Sequence, residues 1–225
     1  MGKNGSRNGQ DAGPKETVHL GLLIDETGSM TGNEPAVIGG LNEFIESLRA
    51  DEADAEVRVT MSMFDLHGND PVVRARFKRI PLEEVTPLGP GDYQPRGATP
   101  LNDAVVKTIR SMARVVKKGD RAMLVILTDG LENASETPSR DVRKLIHRKE
   151  KAGWEFIYLG ANQDVWAEAE KIGLAQAGKN LRYDATPAGT HDALALSADR
   201  AKSFRDDPER YKAEAEEMGD DVKDR

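Results

Sequence analysis

The chain of 225 residues contains no cysteine, and only 5% of it is aromatic. Without cysteine there is no disulfide, no thiolate metal site and no cysteine nucleophile, which is compatible with a reducing compartment. No apolar run approaches the roughly 20 residues that a membrane-spanning helix needs. Nothing at the start has the apolar stretch of a signal peptide, so the expectation is a soluble, cytoplasmic protein without a membrane partner. Phosphate-binding loops of the Gly-x-x-x-x-Gly-Lys-Ser/Thr and Gly-x-Gly-x-x-Gly kinds are also missing. His19, His67, His147 and His191 are scattered, with no pair at metal-ligand spacing. A net charge of −7 speaks against nucleic acid as a partner, because phosphate binding needs a basic surface. The richest basic stretch, Arg143 to Lys151, reads as the solvated face of an amphipathic helix.

What is present is an alternation of strand-like and helix-like segments. Val18 to Ile24 is an apolar run of strand length, and Val37, Ile38, Leu41, Phe44, Ile45 and Leu48 recur at helical spacing between Pro35 and Leu48. Glu56 to Phe64 is a second strand. Val73, Ala75 and Phe77 then alternate with Arg74, Arg76 and Lys78, which describes a half-exposed antiparallel edge strand with charges that discourage edge-to-edge association. Proline and glycine crowd residues 86–100 as a loop before a helix from Leu101 to Val116. Further strands are expected at Arg121 to Leu127, Trp154 to Leu159 and Leu181 to Tyr183, with helices at Ser139 to Ala152 and Pro187 to Ser203. Asp164 is expected to cap another helix. The pattern predicts one α/β domain, a doubly wound, mostly parallel sheet with an antiparallel edge strand and helices on both faces, over residues 17–203. Residues 1–16 are polar and glycine-rich, a flexible arm. Residues 204–225 form a charged tail, either a solvated helix or a disordered segment.

Hydroxyls and acids gather at the predicted strand ends. The first strand runs into Asp25-Glu26-Thr27-Gly28-Ser29, the fourth into Thr128-Asp129-Gly130, and Gly97-Ala98-Thr99-Pro100 opens a helix. In open α/β sheets ligands bind at the carboxyl ends of strands. Oxygen donors at alternate positions of a turn suit hard cations such as Mg²⁺, Mn²⁺ or Ca²⁺. Taken singly, each piece has an ordinary reading as a turn or a helix cap, and Thr99 before Pro100 could serve only as an N-cap. Asp65 and Asp103 are spare carboxylates near the same edge, and Asn162 and Gln163 are candidates for its rim. On this view Asp25 is part of a charge cluster at the sheet edge, and its removal costs little stability.

Together these residues resemble the von Willebrand factor type A domains, whose metal-ion-dependent adhesion site combines Asp-x-Ser-x-Ser with a distant Thr and a distant Asp. The matching positions are Asp25, Thr27, Ser29, Thr99 and Asp129, with Thr27 in place of the first Ser. The resemblance implies that Thr27, Ser29 and Thr99 bind the cation directly, that Asp25 and Asp129 hold its waters, and that a partner's Glu or Asp completes the coordination. It also implies a stand-alone interaction module of bacterial or phage type rather than an enzyme. Two other readings stay open. One is a structural or accessory component of a larger assembly, such as a phage virion, with a non-adhesive metal site. The other is a metal-assisted hydrolase, for which the sequence supplies no general base, since both acids are already assigned to the metal's waters.

Overall fold

The computed structural model describes residues 16–68, 70, 72–175 and 180–220; the expected arm over residues 1–16 lies, apart from Glu16, outside them. The sheet has six strands, β1 (Thr17–Asp25), β2 (Glu56–Phe64), β3 (Val73–Pro81), β4 (Arg121–Thr128), β5 (Trp154–Ala161) and β6 (Asn180–Tyr183), in the order β3-β2-β1-β4-β5-β6. All pairings are parallel except β2 with β3, which is antiparallel and irregular near Met61. The expected doubly wound sheet with an antiparallel edge is therefore the observed one. The alternation of charge in β3 has its consequence here, because Phe77 is buried while Arg76 and Lys78 face solvent.

Among the described residues six α-helices surround the sheet: α1 (Glu34–Arg49), α2 (Leu101–Ala113), α3 (Ser139–Glu150), α4 (Asn162–Ile172), α5 (Pro187–Asp206) and α6 (Pro208–Asp220). Successive strand residues point to opposite faces, so β1 divides between two cores. Leu20, Leu22 and Ile24 pack with Val37, Leu41 and Phe44 of α1 and Leu194 of α5. Leu23 joins Val105 and Ile109 of α2, Val142 of α3 and Val165 of α4. This double burial explains why β1, β4 and β5 read as continuous apolar runs rather than as alternations. Beyond residue 203, Phe204 and Tyr211 are both buried and meet edge to face at 5.5 Å, so the start of α6 is packed onto the first core.

Two local expectations are corrected. Ala161 holds the N-cap position of α4, and Asp164 lies inside its first turn, where an acid still favours the helix dipole. The side chains of Asn162 and Gln163 lie outside the described residues. Pro100 is the N-cap of α2, and the Thr99 hydroxyl does not cap the helix, so the ordinary reading of Thr99 as an N-cap does not hold. It is used elsewhere.

Candidate metal centre

Winding reverses between β1 and β4, and at such a switch point the loops leaving the two strands diverge and open a crevice. Asp25 is the last residue of β1. Ile24 pairs with Leu127 of β4, so Thr128 falls beside Asp25 and Asp129 just above it. The register thus places both acids of the candidate set at one edge.

All five candidate residues come together there, four of them in one string of hydrogen bonds and Asp25 joined to it through the Thr27 N–H. Thr99 Oγ1 donates to Thr27 Oγ1 at 3.1 Å, Thr27 Oγ1 and Ser29 Oγ are 3.1 Å apart, and Ser29 Oγ donates to Asp129 Oδ1 at 2.6 Å. Asp25 lies beneath them. Its Oδ1 accepts from the Thr27 N–H at 2.8 Å and its Oδ2 from Thr128 Oγ1 at 2.6 Å. Asp25 is fully buried, so it is a hydrogen-bond hub and not an exposed edge charge. Its removal would take the acceptor from the Thr27 N–H and leave the Thr128 hydroxyl only its longer contacts with Gly130, at 3.2 and 3.3 Å.

The electrostatics of the place favour a cation. Burial pushes the Asp25 carboxyl up to about 7, against the pull of the hydrogen bonds from Thr128 and Thr27, and the charge of Asp129 adds to the rise. Burial likewise raises Asp129, against the hydrogen bond from Ser29. Neither acid is ion-paired to Lys, Arg or His among the described residues. A buried acid and a half-buried one, with no positive neighbour, are relieved by any cation placed between them. Gly130 keeps space for one: a Cβ there would stand 3.0 Å from Thr99 Oγ1 and 3.1 Å from Ser29 Oγ, crowding both hydroxyls. Among the described residues no cluster of three or more His, Cys, Asp and Glu could hold a metal. The donor set is mainly hydroxyl, which fits a hard cation and not one that requires imidazole or thiolate.

The residues that build this arrangement were largely invisible in the sequence. Tyr93 is buried and donates its hydroxyl to the Asp25 carbonyl at 2.5 Å. Glu26, though acidic and adjacent to Asp25, faces away from the hydroxyl string. It pairs with Arg74 and accepts from the Gln94 N–H at 2.5 Å, while its carbonyl accepts from the Arg96 N–H at 2.8 Å. Burial raises its carboxyl, opposed by the Gln94 N–H and by Arg74. Asp65, fully buried, accepts from Arg96 Nε at 3.0 Å. These contacts moor the proline-rich loop that carries Thr99. The loop then enters a two-residue bridge, Leu66 with Ala98, at Gly97 (φ +71), where a Cβ would be 2.3 Å from the Leu66 carbonyl oxygen. Only glycine fits. Asp103, inside the first turn of α2, caps neither helix and instead ties down the loop ahead of α3: it accepts from Thr137 Oγ1 at 2.5 Å and from the N–H groups of Glu136 and Thr137.

A doubly wound sheet with a hydroxyl-rich turn at its switch point defines an α/β domain whose candidate site lies at the carboxyl end of β1 and β4. Residues 19–193 match the family model of the von Willebrand factor type A domain, and the chain belongs to that family. No curated protein matches it. Among solved structures it is similar to the mussel byssus proximal thread matrix protein 1 with a zinc-occupied MIDAS motif, at 14% identity and a TM-score of 0.56 over 84% of this chain and 48% of that one. It is similar to the pilus adhesin SpaC of Lactobacillus rhamnosus GG, at 14% identity and a TM-score of 0.67 over 87% of this chain and 31% of that one. The SpRpn10 VWA domain matches at 13% identity and a TM-score of 0.54, over 81% of this chain and 95% of that domain. The chain thus spans less than half of the byssus and pilus proteins, and the likeness is one of fold. No helix among the described residues is long and apolar enough to cross a membrane.

Proposed function

We propose that this chain is a divalent-cation-dependent protein interaction module, in which the cation held at Asp25, Thr27, Ser29, Thr99 and Asp129 captures a Glu or Asp carboxylate of a partner protein. The observation that carries the reading is the string from Thr99 through Thr27 and Ser29 to Asp129, three hydroxyls converging beside two unpaired acids. A cation bound there is under-neutralised by its hydroxyl donors, and so attracts one more carboxylate. Mg²⁺ or Mn²⁺ is the expected ion, with Ca²⁺ the third choice for the same oxygen set. Ser29 is exposed while Thr27 and Thr99 are buried, which leaves the outer side open to a partner. We read the module as non-enzymatic, because both oxygens of Asp25 accept hydrogen bonds and both Asp25 and Asp129 are assigned to the cation's waters rather than to a base. The structurally similar SpaC and byssus proteins, an adhesin and a matrix protein, accord with that reading.

Isothermal titration with Mn²⁺ and Mg²⁺, wild type beside Ser29→Ala, tests the cation. Capture of partners in chelator and in Mg²⁺, followed by mass spectrometry, tests the adhesion. Equal capture under both conditions would overturn the cation-dependent interface and favour a structural role with a non-adhesive site.

A further inference from the structure

Thr99 is held from two sides, and one of them is the loop that carries Asp129. Asn133 Oδ1 accepts from the Thr99 N–H at 2.8 Å, and the Asn133 N–H donates to the Thr99 carbonyl at 3.1 Å. This two-point pairing joins the residue before α2 to the segment after β4, 34 positions away in sequence.

The pairing belongs to a larger seam. Helix α2 starts after Pro100, which has no cap to offer, so its first N–H groups need acceptors from elsewhere. The loop after Asp129 supplies them. Glu132 Oε2 accepts from the Asn102 N–H at 2.7 Å, and Ser135 Oγ accepts from the Asp103 N–H at 3.0 Å. In return Asp103 accepts the N–H groups of Glu136 and Thr137, both at 3.0 Å. The opening turn of α2 and residues 129–137 therefore satisfy each other's backbone.

We propose that Asn133 is a positioning residue of the cation site, fixing the Thr99 backbone to the Asp129 loop so that the Thr99 hydroxyl and the Asp129 carboxylate are presented as one preassembled unit. The inference rests on the cation reading above and specifies which residue outside the five candidates sets its affinity. The side chain of Asn133 is itself exposed, and its hydrogen bond to Thr99 is the only one that its carboxamide makes among the described residues. Truncating it deletes that restraint and leaves one point of the pairing, the Asn133 N–H to the Thr99 carbonyl, together with the Glu132, Ser135 and Asp103 seam. Thr99 then retains the neighbouring Ala98–Leu66 bridge but gains freedom relative to Asp129, and the cation must order the pair on binding. Ordering during binding subtracts from affinity.

The test uses Asn133→Ala and Asn133→Asp, the second of which keeps an acceptor oxygen for the Thr99 N–H. In chelator, exchange of the Thr99 amide, followed by NMR, should quicken in Asn133→Ala and stay near wild type in Asn133→Asp, with the melting temperature of both close to wild type. Mn²⁺ affinity by titration should fall roughly three- to tenfold in Asn133→Ala, the worth of one net hydrogen bond. An unchanged Thr99 exchange rate, or unchanged Mn²⁺ affinity in Asn133→Ala, overturns the proposal. Absence of Mn²⁺ binding in the wild type would instead overturn the cation reading itself, so the two failures appear in different proteins.

Discussion

Thr128 Oγ1 donates to Asp25 Oδ2 over 2.6 Å, at a point where neither side chain has any solvent exposure. The pair ties the ends of β1 and β4 together directly beneath the hydroxyl string. Thr128→Val keeps the shape and deletes the donor, leaving a buried carboxylate oxygen unpaired. It should cost about 1–3 kcal/mol of stability, read from urea melts in chelator. An unchanged midpoint would mean that Asp25 finds another donor and that the strand-end tie is not what holds it.

Gly130→Ala is expected to act on the site and hardly on the fold. Its Cβ would press on Thr99 Oγ1 and Ser29 Oγ at 3.0 and 3.1 Å, within a loop that can shift slightly. Mn²⁺ affinity should drop roughly tenfold, equivalent to ~1.4 kcal/mol, with the melting point in chelator little changed. Wild-type affinity in this variant would place the cation away from these hydroxyls.

Tyr93→Phe removes only the hydroxyl that reaches the Asp25 carbonyl. A loss of about 1 kcal/mol is expected, whereas Tyr93→Ala, which also empties the core, should lose ~3–5 kcal/mol. Equal losses for the two would show that the hydrogen bond, and not the ring, carries the residue's contribution.

Stability in chelator should fall as pH rises from about 4 to 7. The folded Asp25 carboxyl titrates at about 7 against an ordinary 3.8, so across this window the folded protein keeps a proton that the unfolded chain has released. The stabilising share is whole below the lower value and gone above the upper one, with a slope of at most ~1.4 kcal/mol per pH unit from this group. Glu26 and Asp129 are also raised and add in the same direction. Asp25→Asn should flatten the slope, and saturating Mg²⁺ should flatten it in the wild type. Chemical denaturation at a series of pH values decides the matter; a wild-type slope unaltered by Asp25→Asn would assign it to the other acids.

Much of this molecule was legible from local pattern. Apolar runs buried on both faces marked β1, β4 and β5, and the alternation from Val73 to Lys78 marked the edge strand, because both signals arise within a few consecutive residues. The five candidate residues could be named as well. Asp25, Thr27 and Ser29 share one turn, and the other two stand at the ends of segments whose periodicity changes.

Tertiary structure decided how those residues are held. Thr128 is a plain strand-ending threonine until the β1–β4 register sets it against Asp25. Asn133 is an ordinary loop amide until the start of α2 comes within reach. Glu26 sits between two candidate residues in sequence, yet the bend at the end of β1 turns it toward Arg74 and Gln94 and away from the hydroxyls. The burial that lifts the Asp25 carboxyl likewise comes from neighbours contributed by distant segments. Sequence by itself determined which chemistry was present and on which strand ends, since side-chain periodicity is a local property. Which partners each side chain meets depends on segments brought together from about 30 to 100 positions apart, and only the folded sheet, through its register, brings them there.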